Sequence, residues 1–94
     1  MLYAAKCYWP GVTHADLEQL AARATQAESR TGDDSVAYLG SLLFSADDIV
    51  LCLLDGRSRT AVKHASNRLR IPSERLIDSV WLGPATPNQA PGAA

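Results

Sequence analysis

Val36-Ala37-Tyr38-Leu39-Gly40-Ser41-Leu42-Leu43-Phe44-Ser45-Ala46-Asp47-Asp48-Ile49-Val50-Leu51-Cys52-Leu53-Leu54, residues 36–54, is the stretch whose reading decides the fold. Two apolar runs, Val36 to Phe44 and Asp48 to Leu54, flank the polar break Ser45-Ala46-Asp47, the pattern of two strands joined by a short hairpin connection. From Ile49 to Leu54 cysteine is the most polar residue, so both halves of the strand's alternation are apolar. Such a strand needs cover on both faces of its sheet.

Reading outward towards the N-terminus, Asp33-Asp34-Ser35 forms a loop, and before it Leu17, Leu20, Ala21, Ala24 and Ala27 recur at helical spacing. That helix opens at Thr13, with Asp16 three residues on as an acidic capping box and Val12 and Leu17 as a staple. It closes near Arg30, before Gly32. A first strand, Leu2 to Trp9, stops at Pro10-Gly11. Towards the C-terminus, Asp55-Gly56 turns the chain into a second helix capped by Ser58, with Val62, Ala65 and Leu69 on its buried stripe. Ile71-Pro72 ends that helix, since the residue before a proline avoids the α region, and a last strand runs from Glu74 to Leu82. The order is β-α-β-β-α-β. This predicts an α+β, ferredoxin-like fold: a four-stranded antiparallel sheet with two helices on one face. Residues 1–83 form the domain, and residues 84–94, without a large apolar anchor, are expected to be a disordered tail. Two helices cover one face of the sheet. The other, apolar through the third strand, calls for a second copy of the chain, a homodimer of the dimeric α+β barrel type.

A chain of 94 residues buries a marginal core, which a partner subunit would reinforce. Its hydrophobic content of 47% and charged content of 20% are those of a globular protein. The net charge of -1 argues against bulk electrostatic binding of nucleic acid. Charge is uneven, however: Arg57, Arg59, Lys63, Arg68, Arg70 and Arg75 face Glu74 alone between residues 57 and 75, which reads either as a solvated helix face or as an anion-binding or interface surface. No signal-like or membrane-spanning run is present, so a soluble, cytoplasmic protein is expected. Cys7 and Cys52, both inside strands, read as free buried thiols.

Together, Tyr8-Trp9-Pro10-Gly11-Val12-Thr13, Tyr38-Leu39-Gly40-Ser41, Leu51-Cys52-Leu53, the alanine-rich second helix and Ile71-Pro72-Ser73-Glu74-Arg75 resemble a family of small actinobacterial ferredoxin-like domains, mostly uncharacterised, over residues 2–82. The resemblance implies the fold, a homodimer and, from one relative, nickel binding. The chain departs from the family pattern at Lys6 and Cys7, where relatives often carry an acid followed by a base. It departs again at Arg70, where the second helix usually ends in glycine. A lysine in the acidic position repels a cation.

Strand alternation places Leu2, Ala4, Lys6 and Tyr8 on one side of the first strand and Leu76, Asp78, Val80 and Leu82 on one side of the last. Middle-to-middle pairing sets Lys6 opposite Asp78, with Tyr38 nearby. Lys6, Tyr8, Tyr38 and Asp78 are therefore the candidate catalytic residues, for acid–base work on a phenol or an enolizable carbonyl; a structural ion pair is the simpler alternative. His14 is read as a solvent-facing residue, and His64, one position off the apolar stripe, as the weak candidate for metal. The third strand lacks aromatic residues to stack bases, which weighs against nucleic acid. The expected function is small-ligand binding by a homodimer, with nickel implied by resemblance alone and no other cofactor. The alternative is a cofactor-free monooxygenase, cyclase or isomerase acting on an aromatic or polyketide-like molecule.

Overall fold

The computed structural model describes residues 1–84 apart from 31–35; the loop Asp33-Asp34-Ser35 and the tail beyond Pro84 lie outside the described residues. Its elements are β1 (Leu2–Tyr8), α1 (His14–Arg30), β2 (Ala37–Phe44), β3 (Ile49–Asp55), α2 (Arg59–Arg68) and β4 (Ser73–Ser79). The strands form one antiparallel sheet in the order β2-β3-β1-β4. This is the ferredoxin-like α+β arrangement, and it leaves β2 and β4 as the edges. Between β2 and β3 the break at residues 45–47 is one turn of 3-10 helix, after which Asp48 reverses the chain at φ 54°.

Local chemistry accounts for the helix ends. Thr13 and Asp16 close a reciprocal capping box: the Thr13 backbone N–H donates to Asp16 Oδ2 at 2.8 Å, and the Asp16 N–H donates to Thr13 Oγ1 at 3.2 Å. Ser58 caps α2 by accepting from the Ala61 N–H at 3.1 Å. The far end of α2 is a Schellman motif. Arg70 N–H donates to the Asn67 carbonyl and Ile71 N–H to that of Ser66, with Arg70 itself in the left-handed region at φ 58°.

Tyr3, Ala5 and Cys7 of β1 and Val50, Cys52 and Leu54 of β3 bury one face of the sheet against Leu20 and Ala24 of α1, Val62 of α2, and Leu69 and Ile71 beyond it. Gly56 follows β3 where α2 crosses closely; a Cβ there would lie 2.6 Å from Val62 Cγ2. Arg23 of α1 donates to the Leu69 carbonyl through Nε at 3.2 Å and Nη2 at 2.9 Å, fastening one helix to the end of the other. Among the described residues no helix is long and apolar enough to cross a membrane.

The opposite face carries Leu2, Ala4, Lys6 and Tyr8 of β1, Ile49, Leu51 and Leu53 of β3, and Leu42 and Phe44 of β2, which the register sets side by side. Tyr8, Leu42 and Phe44 are 55%, 53% and 45% exposed. The strand bounds differ from the sequence reading by one residue in several places and by three at the end of β4. Strand β1 stops at Tyr8 rather than Trp9, and β4 stops at Ser79 rather than Leu82. The second difference follows from pairing: Ser79 lies opposite Leu2, the first residue of β1, so Val80, Trp81 and Leu82 have run past the neighbouring strand.

Candidate functional site

The structure corrects the pairing of Lys6 with Asp78. Lys6 lies opposite Leu51 on one side and Arg75 on the other, while Asp78 lies opposite Tyr3. Tyr3 belongs to the core face and Lys6 to the bare one, so Lys6 and Asp78 sit on opposite sides of the sheet. Asp78 instead accepts from Arg59 Nη1 at 2.7 Å in an exposed ion pair. Tyr8 stays with Lys6 on the bare face, and His64 is exposed on α2. Among the described residues no three histidine, cysteine, aspartate or glutamate side chains come together as a metal site.

Tyr38 lies elsewhere again, in the groove between β2 and α1. Its position depends on a β-bulge: Tyr38 pairs with Leu54 but Gly40 pairs with Leu53, so Leu39 is the extra residue. Gly40 takes φ 143°, a conformation that suits glycine. The bulge has a chemical consequence. In a regular strand residues 38 and 41 would point to opposite faces, whereas here both point towards α1 and the Tyr38 hydroxyl shares a short hydrogen bond with Ser41 Oγ.

From Ser41 the polar contacts continue into the core. Its hydroxyl donates to Cys52 Sγ at 3.4 Å, and the Cys7 thiol, hydrogen-bonded with that of Cys52, also reaches the Ala5 carbonyl at 3.6 Å. The Cys52 bond and burial push the Cys7 thiol up. Cys52 is the one of the pair that ionises first, because bonds from Cys7 and Ser41 to its thiolate outweigh its own burial. Burial raises the Tyr38 phenol, an effect the Ser41 bond partly offsets.

The groove has a volume of about 460 Å³. Leu17, Ala21 and Ala24 of α1 supply an apolar wall bordered by Glu18 and Thr25, and the Tyr38–Ser41 segment of β2 supplies the opposite wall. Small side chains on α1 keep it open. Of the four expected catalytic residues it holds Tyr38 alone; Ser41 is the partner that sequence reasoning missed, and the available signal was a glycine inside a strand. Neutral hydroxyls over an apolar wall can orient a bound molecule. With Lys6 on the bare face and Asp78 at the β4 edge, the acid–base set expected from the sequence does not converge there.

No protein-family model matches the chain. No curated protein and no solved structure matches it either.

Proposed function

We propose that the chain is a homodimeric small-ligand-binding protein whose ligand lies in the groove between α1 and β2. The observation that carries this reading is the Tyr38–Ser41 hydroxyl pair, turned by the Gly40 bulge to face the apolar wall of Leu17, Ala21 and Ala24. Binding pockets for small molecules combine a mostly apolar lining with a few fixed polar groups. A flat apolar body bearing one hydroxyl or carbonyl suits this lining.

The homodimer rests on the bare face of the sheet. Four strands about 4.8 Å apart and seven residues long at about 3.3 Å each make a plate of roughly 440 Å² in plan. That is more than half of the roughly 800 Å² per partner of a stable interface. Val80, Trp81 and Leu82, at 78%, 48% and 88% exposure, extend the apolar surface beyond β4. Apart from the neighbouring cations Lys6 and Arg75 the plate is apolar, and such a plate can be complementary to itself, which favours a second copy related by a two-fold axis, with the sheets about 10 Å apart.

Titration with phenol and naphthol, followed by amide NMR, tests the groove. Saturable shifts centred on Ala21, Gly40 and Ser41 are expected. Ala21→Phe should remove them by filling the space, and Tyr38→Phe should weaken binding by up to about tenfold, the worth of one hydrogen bond. Shifts confined to other surfaces would overturn the assignment.

A further inference from the structure

Four polar side chains line the groove between α1 and β2, and each of them has its proton committed elsewhere or has none. Glu18 and Thr25 stand on α1, on the same stripe as Ala21, while Tyr38 and Ser41 stand on β2. A hydroxyl carries one proton and gives it to one acceptor. Thr25 donates to the Ala21 carbonyl of its own helix at 3.1 Å. Ser41 donates to Cys52 Sγ at 3.4 Å. With the Ser41 proton engaged there, the short bond between Ser41 and Tyr38 is made by the Tyr38 proton. The inner end of the relay has the same direction. Cys7 donates to the Ala5 carbonyl, a group that can only accept, so Cys52, bonded to Cys7, also donates away from the groove. Glu18, as a carboxylate, accepts only.

The polar side chains of the groove therefore offer a ligand oxygen lone pairs and no proton. Glu18 adds a negative charge. Among the described residues it has no ion-pair partner, and neither arginine nor lysine lines the groove. A ketone, carboxylate or phosphate placed here would set lone pairs against lone pairs, and the last two would also meet like charge. A hydroxyl or N–H makes the missing donor, and an ammonium complements Glu18 as well. Because the acceptors stand on both walls with apolar surface between them, the fitting ligand is a flat apolar body with a donor at each end, one of them cationic.

We propose that the groove binds an organic amine of this kind, with its ammonium at Glu18, its apolar body against Ala21 and Ala24, and a second donor at the Tyr38–Ser41 pair. The proposal rests on the groove reading above and names the class of ligand for it.

The test titrates three compounds with the same ring into the full chain, reading the amide shifts of Ala21, Gly40 and Ser41. Tyramine carries both donors, 3-(4-hydroxyphenyl)propionate replaces the ammonium by a carboxylate, and 4-methoxyphenethylamine keeps the ammonium but lacks the phenolic proton. Tyramine should bind about tenfold or more tighter than the propionate and about threefold or more tighter than the methoxy compound. Glu18→Gln should weaken tyramine by about threefold and narrow its advantage over the propionate. Gln19→Lys makes the same change of charge one residue along the helix and outside the groove, and should alter both by less. Both positions are exposed, so the variants keep the fold. The proposal is overturned if the propionate or the methoxy compound binds as tightly as tyramine, or if Gln19→Lys weakens tyramine as much as Glu18→Gln does. Phenol shifts without a preference for tyramine would overturn the amine alone and leave the groove; no shift with either phenol or tyramine would overturn both.

Discussion

Arg70 occupies a backbone conformation, φ 58°, that costs an L-residue about 1–2 kcal/mol relative to glycine. It is tolerated because the Schellman hydrogen bonds to Asn67 and Ser66 over-determine the turn. Arg70→Gly removes the strain and returns part of the gain as entropy of the unfolded chain, so a net stabilisation of about 0.5–1 kcal/mol is expected from urea unfolding. A loss of stability would mean that the Arg70 side chain contributes more than its backbone costs. Tyr38 gives a second expectation at this scale. Its phenol titrates above the ordinary value of 10.0 in the folded chain because burial disfavours the phenolate. Between the unfolded and folded values the folded chain keeps a proton that the unfolded chain has lost. The contribution of Tyr38 is therefore intact below about pH 10 and declines as the pH rises through the folded value. The melting temperature of the wild type should fall more steeply above that pH than that of Tyr38→Phe; equal slopes would place Tyr38 in water.

Between elements, Arg23 is the main polar link from α1 to α2, since both its bonds end on the Leu69 carbonyl. Arg23→Met keeps the aliphatic stem and deletes the donors, and it should cost about 1–2 kcal/mol in denaturant unfolding, as for a partly exposed charged hydrogen bond. An effect below about 0.5 kcal/mol would show that the helices are held by apolar packing alone. The elements themselves were legible in the sequence because their signals are local. Thr13 with Asp16, Ser58, Pro10-Gly11 and Ile71-Pro72 each act within a few residues, and the structure puts the boundaries close to them. Register was not legible, because it is a relation between two strands. Pairing runs regularly from Leu2↔Ser79 to Lys6↔Arg75, three residues from the register that would set Lys6 opposite Asp78, and an odd offset puts the two on opposite faces of the sheet. The bulge at Leu39 has the opposite effect, bringing Tyr38 and Ser41 together where alternation would part them. Gly40 was visible, but the sequence does not say which residue its bulge turns round.

At the scale of the whole molecule, the sheet has a helix-covered face and a bare one, and the groove lies at its β2 edge. The sequence carried the bare face through β3, whose outward residues Ile49, Leu51 and Leu53 are as apolar as its inward ones. The proposed homodimer is tested most cleanly at Leu42, which is paired with Leu51 on that face and is 53% exposed in the single chain. A substitution at so exposed a position should change the stability of an isolated chain by no more than about 0.5 kcal/mol. In a dimer the same side chain is covered by the partner sheet, and Leu42→Glu sets an unpaired carboxylate against apolar surface on both sides of the two-fold axis. Light scattering at micromolar concentration should give the wild type at twice the chain mass. Leu42→Glu should run at the chain mass, with unchanged circular dichroism and a dissociation constant raised by about 100-fold or more, some 3 kcal/mol. Because the variant perturbs the fold so little, loss of the dimer can be read separately from loss of structure. A wild type that runs as a monomer would instead leave the bare face without a second copy to cover it.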